Sequence, residues 1–175
     1  MYSRIKSQTP FSIVKLSEAK RQLNEQFNDD NDTHIQMLID IASDLAQSYT
    51  NRLLSTGVIE LVVSGKKSFF LPYGEATEDI TPIVATVTDD PVTFDFEPIS
   101  QIFTFDDGVI NSTDRVKLTY DAGYASGKVP PSVKMGVLML ISTLYEWRED
   151  YADVSVNNIP IGSTQLLDSV KIQAF

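Results

Sequence analysis

The sequence contains no cysteine, and this absence removes several kinds of chemistry at once. Its 175 residues cannot form a disulfide, a thiolate metal site or a cysteine nucleophile. The only histidine is His34, so neither a zinc site built from histidines nor a nucleophile–histidine triad can be assembled. His34 lies on the polar side of a predicted helix, where a surface or capping role is the simpler interpretation.

Long apolar runs are also absent. The densest run covers residues 137–141, five residues, far short of the ~20 that a membrane-spanning helix needs. The first eleven residues, MYSRIKSQTPF, lack the apolar core of a secretory signal. We therefore expect no membrane partner, and the composition is compatible with a cytoplasmic location.

Basic residues are few and unevenly placed in a chain with a net charge of −10. Residues 1–28 have a net charge of +3, residues 29–109 of −12, and residues 110–175 of −1. The acidic middle segment would repel a phosphate backbone, so we do not expect it to grip DNA. Its simplest role is a solvated acidic surface.

Apolar spacing predicts three main helices. A first helix over residues 17–27 would begin with Ser17 as its N-cap and place Ala19, Leu23 and Phe27 on one face. A second, over 32–54, would use one long apolar stripe: Ile35, Leu38, Ile39, Ala42, Leu45, Ala46 and Tyr49. A third is expected over 131–151, beginning at Pro131, which suits a first helical turn.

Between the second and third helices the pattern changes to short segments rich in Val, Ile, Phe and Thr. Turn residues separate the expected strands, which cover 58–63, 68–71, 80–87, 101–105 and 115–120. Residues 1–16 look extended, as an arm or an edge strand. The predicted fold is α+β in one domain: a helical core from 17–54 and 130–151, an antiparallel β insertion over 57–120, and a tail over 158–175. In the tail we expect a short element at Leu166-Leu167, then a strand over 170–172.

The third helix carries more apolar surface than one partner can cover. One stripe contains Val133, Val137, Leu140, Ile141, Leu144, Trp147 and Tyr151. Met135, Leu138 and Met139 widen this apolar arc. Such an arc needs cover on two sides. The first two helices can supply one side, and the β insertion or another subunit would supply the other.

Candidate catalytic and ligand-binding patterns are weak. Asp106-Asp107 precedes a glycine between two strands and is typical of a turn, although paired carboxylates can act as an acid and a base. Residues 29–32 resemble a calcium loop only loosely, because Ile35 and Ile41 occupy the positions of its glycine and glutamate. Lys66-Lys67 is interpreted as a hairpin tip. Gly123 and Gly127 do not belong to a phosphate loop, because Lys128-Val129 follows them instead of the Lys-Ser/Thr pair that such a loop requires.

Four stretches in order resemble the head–tail connector family of tailed bacteriophages, also called head-completion or adaptor proteins. They are "LSEAKRQL", "DDNDTHIQMLIDIASDLAQSYTNRLL", "VKLTYDAGYASGKVPPSVKMGVLMLISTLYEWRE" and "IPIGSTQLLDSVKIQAF". The third is the most diagnostic, with its strand, Ala-Gly-Tyr, Val-Pro and long helix ending in Tyr-Glu-x-Arg-Glu. In the fourth, the family's usual Leu-Leu-x-Pro-Tyr-Arg is replaced by "LLDSVK".

This resemblance implies a structural virion protein without enzymatic activity or cofactor. It would form a ring, of twelve copies in the virion, that joins the portal protein to a tail or stopper protein and extends the DNA channel without binding DNA specifically. Assembly would take place in the host cytoplasm. A tail-completion or tail-terminator ring is the first alternative. The second is a small hydrolase acting through Asp106, Asp107 or Glu60.

Two sets of residues are predicted to make the contacts of such a ring. Tyr, Trp and Arg are favoured at protein interfaces, and the long helix ends in them. The predicted subunit contacts are Met135, Leu138, Met139, Tyr145, Trp147 and Arg148. The predicted contacts with the portal or another neck protein lie in the apolar tail, at Leu166, Leu167, Val170, Ile172 and Phe175. The tail could add a strand to a partner sheet or dock on its own domain.

Overall fold

The computed structural model describes residues 2–9, 13–66, 68–74, 93–97, 102–106, 115–125, 127–146 and 161–172. The chain divides into two compact units. The β unit contains Met1–Pro10 and Ser55–Ser126, and the helical unit contains Phe11–Leu54 and Gly127–Phe175. The strand predicted over 80–87 lies outside the described residues.

Three antiparallel strands form the larger sheet of the β unit. They are β1 (Tyr2–Gln8), β2 (Gly57–Ser64) and β6 (Arg115–Ala122), in the order β1-β2-β6. Apolar side chains alternate along β2 and β6, and paired residues such as Leu61 and Leu118 bury one common face. The extended N-terminal segment is therefore an edge strand, as its pattern predicted.

A smaller antiparallel sheet is built mainly from phenylalanine. It contains β3 (Ser68–Phe70), β4 (Phe94–Glu97) and β5 (Ile102–Phe105), in the order β3-β5-β4. Phe103 is buried at its centre, with ring centroids 5.4 Å from Phe69, 4.8 Å from Phe94 and 5.0 Å from Phe105. These distances are typical of favourable aromatic pairs. Strand β4 was not expected from the sequence.

One buried tyrosine joins the last strand to the segment after β3. The Tyr120 hydroxyl donates a hydrogen bond to the Pro72 carbonyl oxygen at 2.6 Å. Burial raises the pKa of Tyr120, because the phenolate would be poorly solvated there. The buried hydroxyl is thus paired, as an apolar environment requires.

The first helix of the helical unit, α1 (Leu16–Gln22), is shorter than predicted. Its N-cap is Lys15 and not Ser17, because the Glu18 carboxylate accepts the Lys15 backbone N–H at 3.0 Å. The chain leaves the helix at Asn24, whose φ of 61° is left-handed. Phe27, which was expected on the buried face of this helix, is 94% exposed.

The second helix, α2 (Asp32–Thr50), begins where predicted and ends four residues early. Asn51 has a φ of 52° and closes the helix in the left-handed conformation, a role that asparagine tolerates. The expected core residues Ile35, Ile39 and Ala46 are buried. Leu45, which was assigned to the same stripe, is 39% exposed, so that assignment was wrong.

The third helix, α3 (Pro131–Glu146), begins at the predicted proline. Its residues Val133, Val137, Leu140 and Ile141 are buried. Helices α1 and α2 contact α3, and so does a fourth helix, α4 (Ile161–Asp168), formed by the tail. The second side of α3 is therefore covered within its own unit, by a helix that contains the short element expected at Leu166-Leu167 but begins five residues before it.

Two glycines let α4 approach α3 closely. A Cβ on Gly136 would lie 3.1 Å from Leu167 Cγ, and a Cβ on Gly162 would lie 2.7 Å from Met139 Cε. Real Cβ atoms do not tolerate the second distance, so the neighbour would have to move. Leu167 uses this space and is fully buried. The two glycines thus allow α4, the helix of the tail, to pack closely on α3.

The strand predicted over residues 170–172 is absent. Residues 169–170 form a turn, and residues 171–172 have no regular secondary structure. The backbone groups of this segment are satisfied by the end of α2 instead of by a sheet. The Ile172 N–H donates to the Thr50 carbonyl oxygen at 2.9 Å, and the Asn51 side-chain amide donates to the Ile172 carbonyl oxygen at 3.0 Å. The α+β class and the antiparallel pairing are nevertheless confirmed.

Adjacent leucines on α4 provide a matched test of this packing. Leu167→Ala should lower the free energy of unfolding by about 2–5 kcal/mol, because it opens a cavity against α3. Leu166→Ala changes the same residue type in the same helix at a half-buried position, so we expect less than half that loss. Chemical unfolding followed by helical circular dichroism at one protein concentration measures both. Equal losses would contradict the packing described.

Candidate assembly surfaces

The residues predicted as subunit contacts on α3 have different environments. Met135 is 43% exposed, whereas Leu138 and Met139 are half-buried. Met139 lies against Gly162 of α4 in its own unit. Trp147 and Arg148 lie outside the described residues. Of the described residues in this set, Met135 offers the most apolar surface to a partner.

Tyr145 holds the loop after α1 near the end of α3. Its hydroxyl donates to the Glu25 carboxylate at 3.0 Å, and its ring centroid is 6.3 Å from that of His34. The side chain is half-buried. His34 therefore lies beside an aromatic ring at the α2–α3 contact, and Tyr145 already has partners within its own chain.

The tail residues that were predicted to contact a neck partner also differ. Leu167 is fully buried in its own unit, which leaves it no surface to offer in this conformation. Leu166, Val170 and Ile172 are half-buried, so each keeps some accessible surface. Phe175 lies outside the described residues. The predicted partner role of the described tail thus rests on these three half-buried side chains.

Several side chains attach the tail to the C-terminal end of α2. The Tyr49 hydroxyl donates to the Asp168 carboxylate at 2.7 Å, and Lys171 Nζ lies 4.0 Å from the Tyr49 ring centroid. The Arg52 guanidinium donates to the Val170 carbonyl oxygen. The Asp168 hydrogen bond raises the pKa of Tyr49, since an adjacent carboxylate disfavours phenolate. The base of the tail is therefore anchored.

An exposed apolar stripe on α2 was missed in the sequence reading. Met37, Ile41 and Leu45 are 51%, 40% and 39% exposed and recur at every fourth residue, so they follow one line along the helix. We call these three residues the outer stripe. Buried residues such as Ile35 and Ile39 lie on the other side of α2, and the buried Leu38 adjoins the stripe. The spacing of Met37 and Ile41 was the available signal, but the stronger core stripe masked it.

Glu60, one carboxylate of the hydrolase alternative, is surrounded by basic side chains. Its carboxylate lies 2.9 Å from Lys117 Nζ, 2.7 Å from Arg4 Nε and 3.5 Å from Lys6 Nζ, on strands β6 and β1. The Glu60 side chain is only 5% exposed. The Lys117 and Arg4 hydrogen bonds lower the pKa of Glu60 to about 2. A group held ionised in this way is suited to binding strands together and not to proton transfer near neutral pH.

The other acidic candidates show no catalytic or metal-binding arrangement in the described part of the chain. Asp106 is exposed, and Asp107 lies outside the described residues. Asp29 and Asp32 bind Lys20 Nζ at 2.6 and 2.7 Å, which ties α1 to the start of α2. No group of three or more potential ligands is placed to hold a metal ion among the described residues. No described helix has the length and apolarity to cross a bilayer.

Comparison with known proteins identifies the fold. The chain matches no protein-family model and no curated protein sequence. In structure it is similar to a chain of the neck of an empty gene transfer agent particle computed with C6 symmetry, with a TM-score of 0.76 and 16% identity. It is also similar to a chain of the neck of the native particle computed with C12 symmetry, with a TM-score of 0.74 and 16% identity. A chain of the virion of the native particle is similar as well, with a TM-score of 0.74 and 17% identity.

All three similarities cover 100% of this chain and 98% of the other chain. Both units, and not only the helical one, are therefore included in the shared fold. At these sequence identities the similarity establishes the fold alone. The chain thus has the α+β fold found in neck chains of gene transfer agent particles.

The Glu60 cluster makes a prediction about acid stability. Because the pKa of Glu60 is lowered, its stabilising effect should be complete above about pH 4.5 and lost as the pH falls through about 2. Glu60→Gln should reduce the melting temperature at pH 7, and this deficit should shrink as the pH falls towards 2. Thermal unfolding of both proteins across this range measures the deficit.

Asp106→Asn is the matched control, because it neutralises an exposed carboxylate in the same unit. We expect it to change the melting temperature little at any pH. A Glu60→Gln deficit that stays constant from pH 7 to pH 2 would contradict the ion-pair interpretation.

Proposed function

We propose that this protein is a structural component of the neck of a phage-like particle and that it assembles there as a closed ring. The observation that carries the proposal is the full-length similarity in fold to neck chains of gene transfer agent particles. Those necks are described with C6 and C12 symmetry, which closed rings satisfy. The order of sequence motifs resembling head–tail connectors supports the same function independently.

Within the neck we propose a connector role. The ring, of about twelve copies, would join the portal protein to a tail or stopper protein and surround the channel through which DNA passes. The net charge of −10 is consistent with passage without specific binding, because a mainly acidic surface offers few contacts that release phosphate counterions. Its location would be the virion, after assembly in the host cytoplasm.

The tail is the proposed contact with the portal or another neck protein. Leu166, Val170 and Ile172 retain accessible surface, and hydrogen bonds to Thr50 and Asn51 hold the tail backbone in a defined position. A positioned segment loses less conformational entropy on binding than a free one. The tail would therefore present these side chains to a partner with a reduced ordering cost.

No specific observation favours the two alternatives to the same degree. A tail-terminator protein would also form a ring, but the structural neighbours include neck chains. A carboxylate-dependent hydrolase would need an available acid and base, whereas Glu60 is fully engaged with Lys117 and Arg4. We therefore propose that the protein has no catalytic activity and uses no cofactor.

The native mass of the purified protein tests the ring directly. Native mass spectrometry and light scattering from micromolar to near-millimolar protein should show a species of about twelve copies that forms at the higher concentrations. A ring needs two different contact surfaces on each copy, so dimers should not accumulate as a closed end state.

Cryo-electron microscopy of particles that carry the tagged chain supplies the second measurement. Density for the tag is expected at the neck, in a ring next to the portal. A closed two-fold dimer in solution, or tag density at the far end of the tail, would contradict the proposed function.

A further inference from the structure

We propose that the outer stripe of α2 is one half of the contact between adjacent copies, and that the basic surface around Met135 of the next copy is the other half. This inference rests on the proposed ring and identifies its subunit interface. Both surfaces lie in the helical unit. Neither depends on residues outside the described part of the chain.

The side chains of the outer stripe are spaced as in a contact between two helices, and they are separate from the buried side chains of α2. Its three side chains are spaced by four residues, about 6 Å along the axis for each step, so they form a seam about 12 Å long. The opposite face of α2 is already buried by residues such as Ile35 and Ile39. The helix therefore has a second line of apolar side chains that the core leaves 39–51% exposed. Exposed apolar surface arranged in this way marks an interaction site.

Two acidic side chains lie beside this seam, and their charge limits which protein surface can pack against it. Asp40 and Asp44 are exposed and lie on the Met37 side of the stripe. In the described residues neither carboxylate forms an ion pair; Asp40 accepts one hydrogen bond, from the Gln36 amide at 3.1 Å. A two-fold contact of stripe against stripe would bring four carboxylates together. Such like-charge contacts are unfavourable, so the covering surface must be a different one and basic.

The N-terminal end of α3 and the adjoining face of α1 provide that surface. Met135 is exposed, and its neighbour Lys134 binds the Glu18 carboxylate at 2.6 Å. Lys15, the N-cap of α1, and Arg21, in its last turn, lie three residues before and three residues after Glu18 in the chain. The Lys134–Glu18 ion pair therefore joins the start of α3 to a segment that carries both basic groups. Both are exposed and form no ion pair within the described residues. Counted with Lys134 and Glu18, this surface has a net positive charge next to the exposed Met135. It complements an apolar stripe that has two exposed carboxylates on one side.

Two different complementary surfaces on one chain define a head-to-tail contact. A dimer formed through such a contact still has one free surface of each kind, one on each end copy, so further copies can be added. The assembly closes only when the rotation between copies completes a circle. Charge complementarity would set the register of the contact, and the apolar side chains would supply most of the area removed from water.

Disulfide crosslinking tests this pairing in a chain that has no cysteine of its own. One variant carries both Ile41→Cys and Met135→Cys. It is oxidised mildly at a protein concentration at which the native mass shows the ring. We expect a ladder of covalent oligomers larger than dimers on a denaturing gel. Ile41→Cys alone and Met135→Cys alone should stay monomeric on denaturing gels. Met135→Cys with Gln165→Cys, an exposed position on α4, controls for random collision and should give little product.

Charge reversal gives an independent second readout. Asp40→Lys with Asp44→Lys should raise the concentration needed for half-assembly several-fold, and so should Lys15→Glu with Arg21→Glu. Combining all four changes should restore assembly towards the original value, because the charge pairs are then re-formed with opposite sign. Circular dichroism confirms that each variant is folded before its mass is measured.

The outcomes separate this inference from the proposed function. A ring without a crosslinked ladder, or a ladder no stronger than in the Gln165 control, overturns the interface and leaves the ring intact. Disulfide dimers from Ile41→Cys alone overturn it in favour of a two-fold contact. A chain that stays monomeric at every concentration overturns both the interface and the ring in solution.

Discussion

The helical unit depends on covering one very apolar helix. Helix α3 buries Val133, Val137, Leu140 and Ile141, and its apolar surface extends too far around the axis for one neighbour. Three helices of the same unit contact it, and the absence of a Cβ at Gly136 and Gly162 lets the last, α4, pack against it without displacing Leu167 or Met139. This close approach fixes α4, and α4 in turn fixes the base of the tail. The position of the tail at the end of α2 is therefore a consequence of packing on α3.

In the β unit, one buried carboxylate is paired with several basic side chains. Glu60 lies on the central strand β2, and Arg4 and Lys117 reach it from the two outer strands. Breaking such a cluster is costly because a buried carboxylate would lose its partners. The cluster thus binds the N-terminal edge strand to the sheet. It also explains why a carboxylate that could have been catalytic has a structural role.

The proposed contact between copies uses apolar side chains that remain exposed in the helical unit. Met37, Ile41 and Leu45 follow a second line on a helix that already has a core face, and Met135 is exposed on the otherwise well-covered α3. Two exposed carboxylates lie on one side of the first surface, and the second surface has a net positive charge. A subunit that must join two neighbours through different faces needs this asymmetry. The chain shares its fold with neck chains of gene transfer agent particles, and the proposed ring would use this asymmetry.

Local patterns in the sequence determined the α+β class, the start of α2 and α3, the edge strand and most core residues, because apolar periodicity and terminal residues act over a few positions. Where α4 lies, the sequence predicted only a short element at Leu166-Leu167. It did not predict the length of that helix, the early end of α1 or the exposure of Leu45 and Phe27. Those features depend on which elements meet in space: the glycines that admit α4, and the left-handed turn at Asn24. Whether an apolar side chain serves the core or a partner was decided only by the tertiary structure, since both uses leave the same residue type at the same helical spacing.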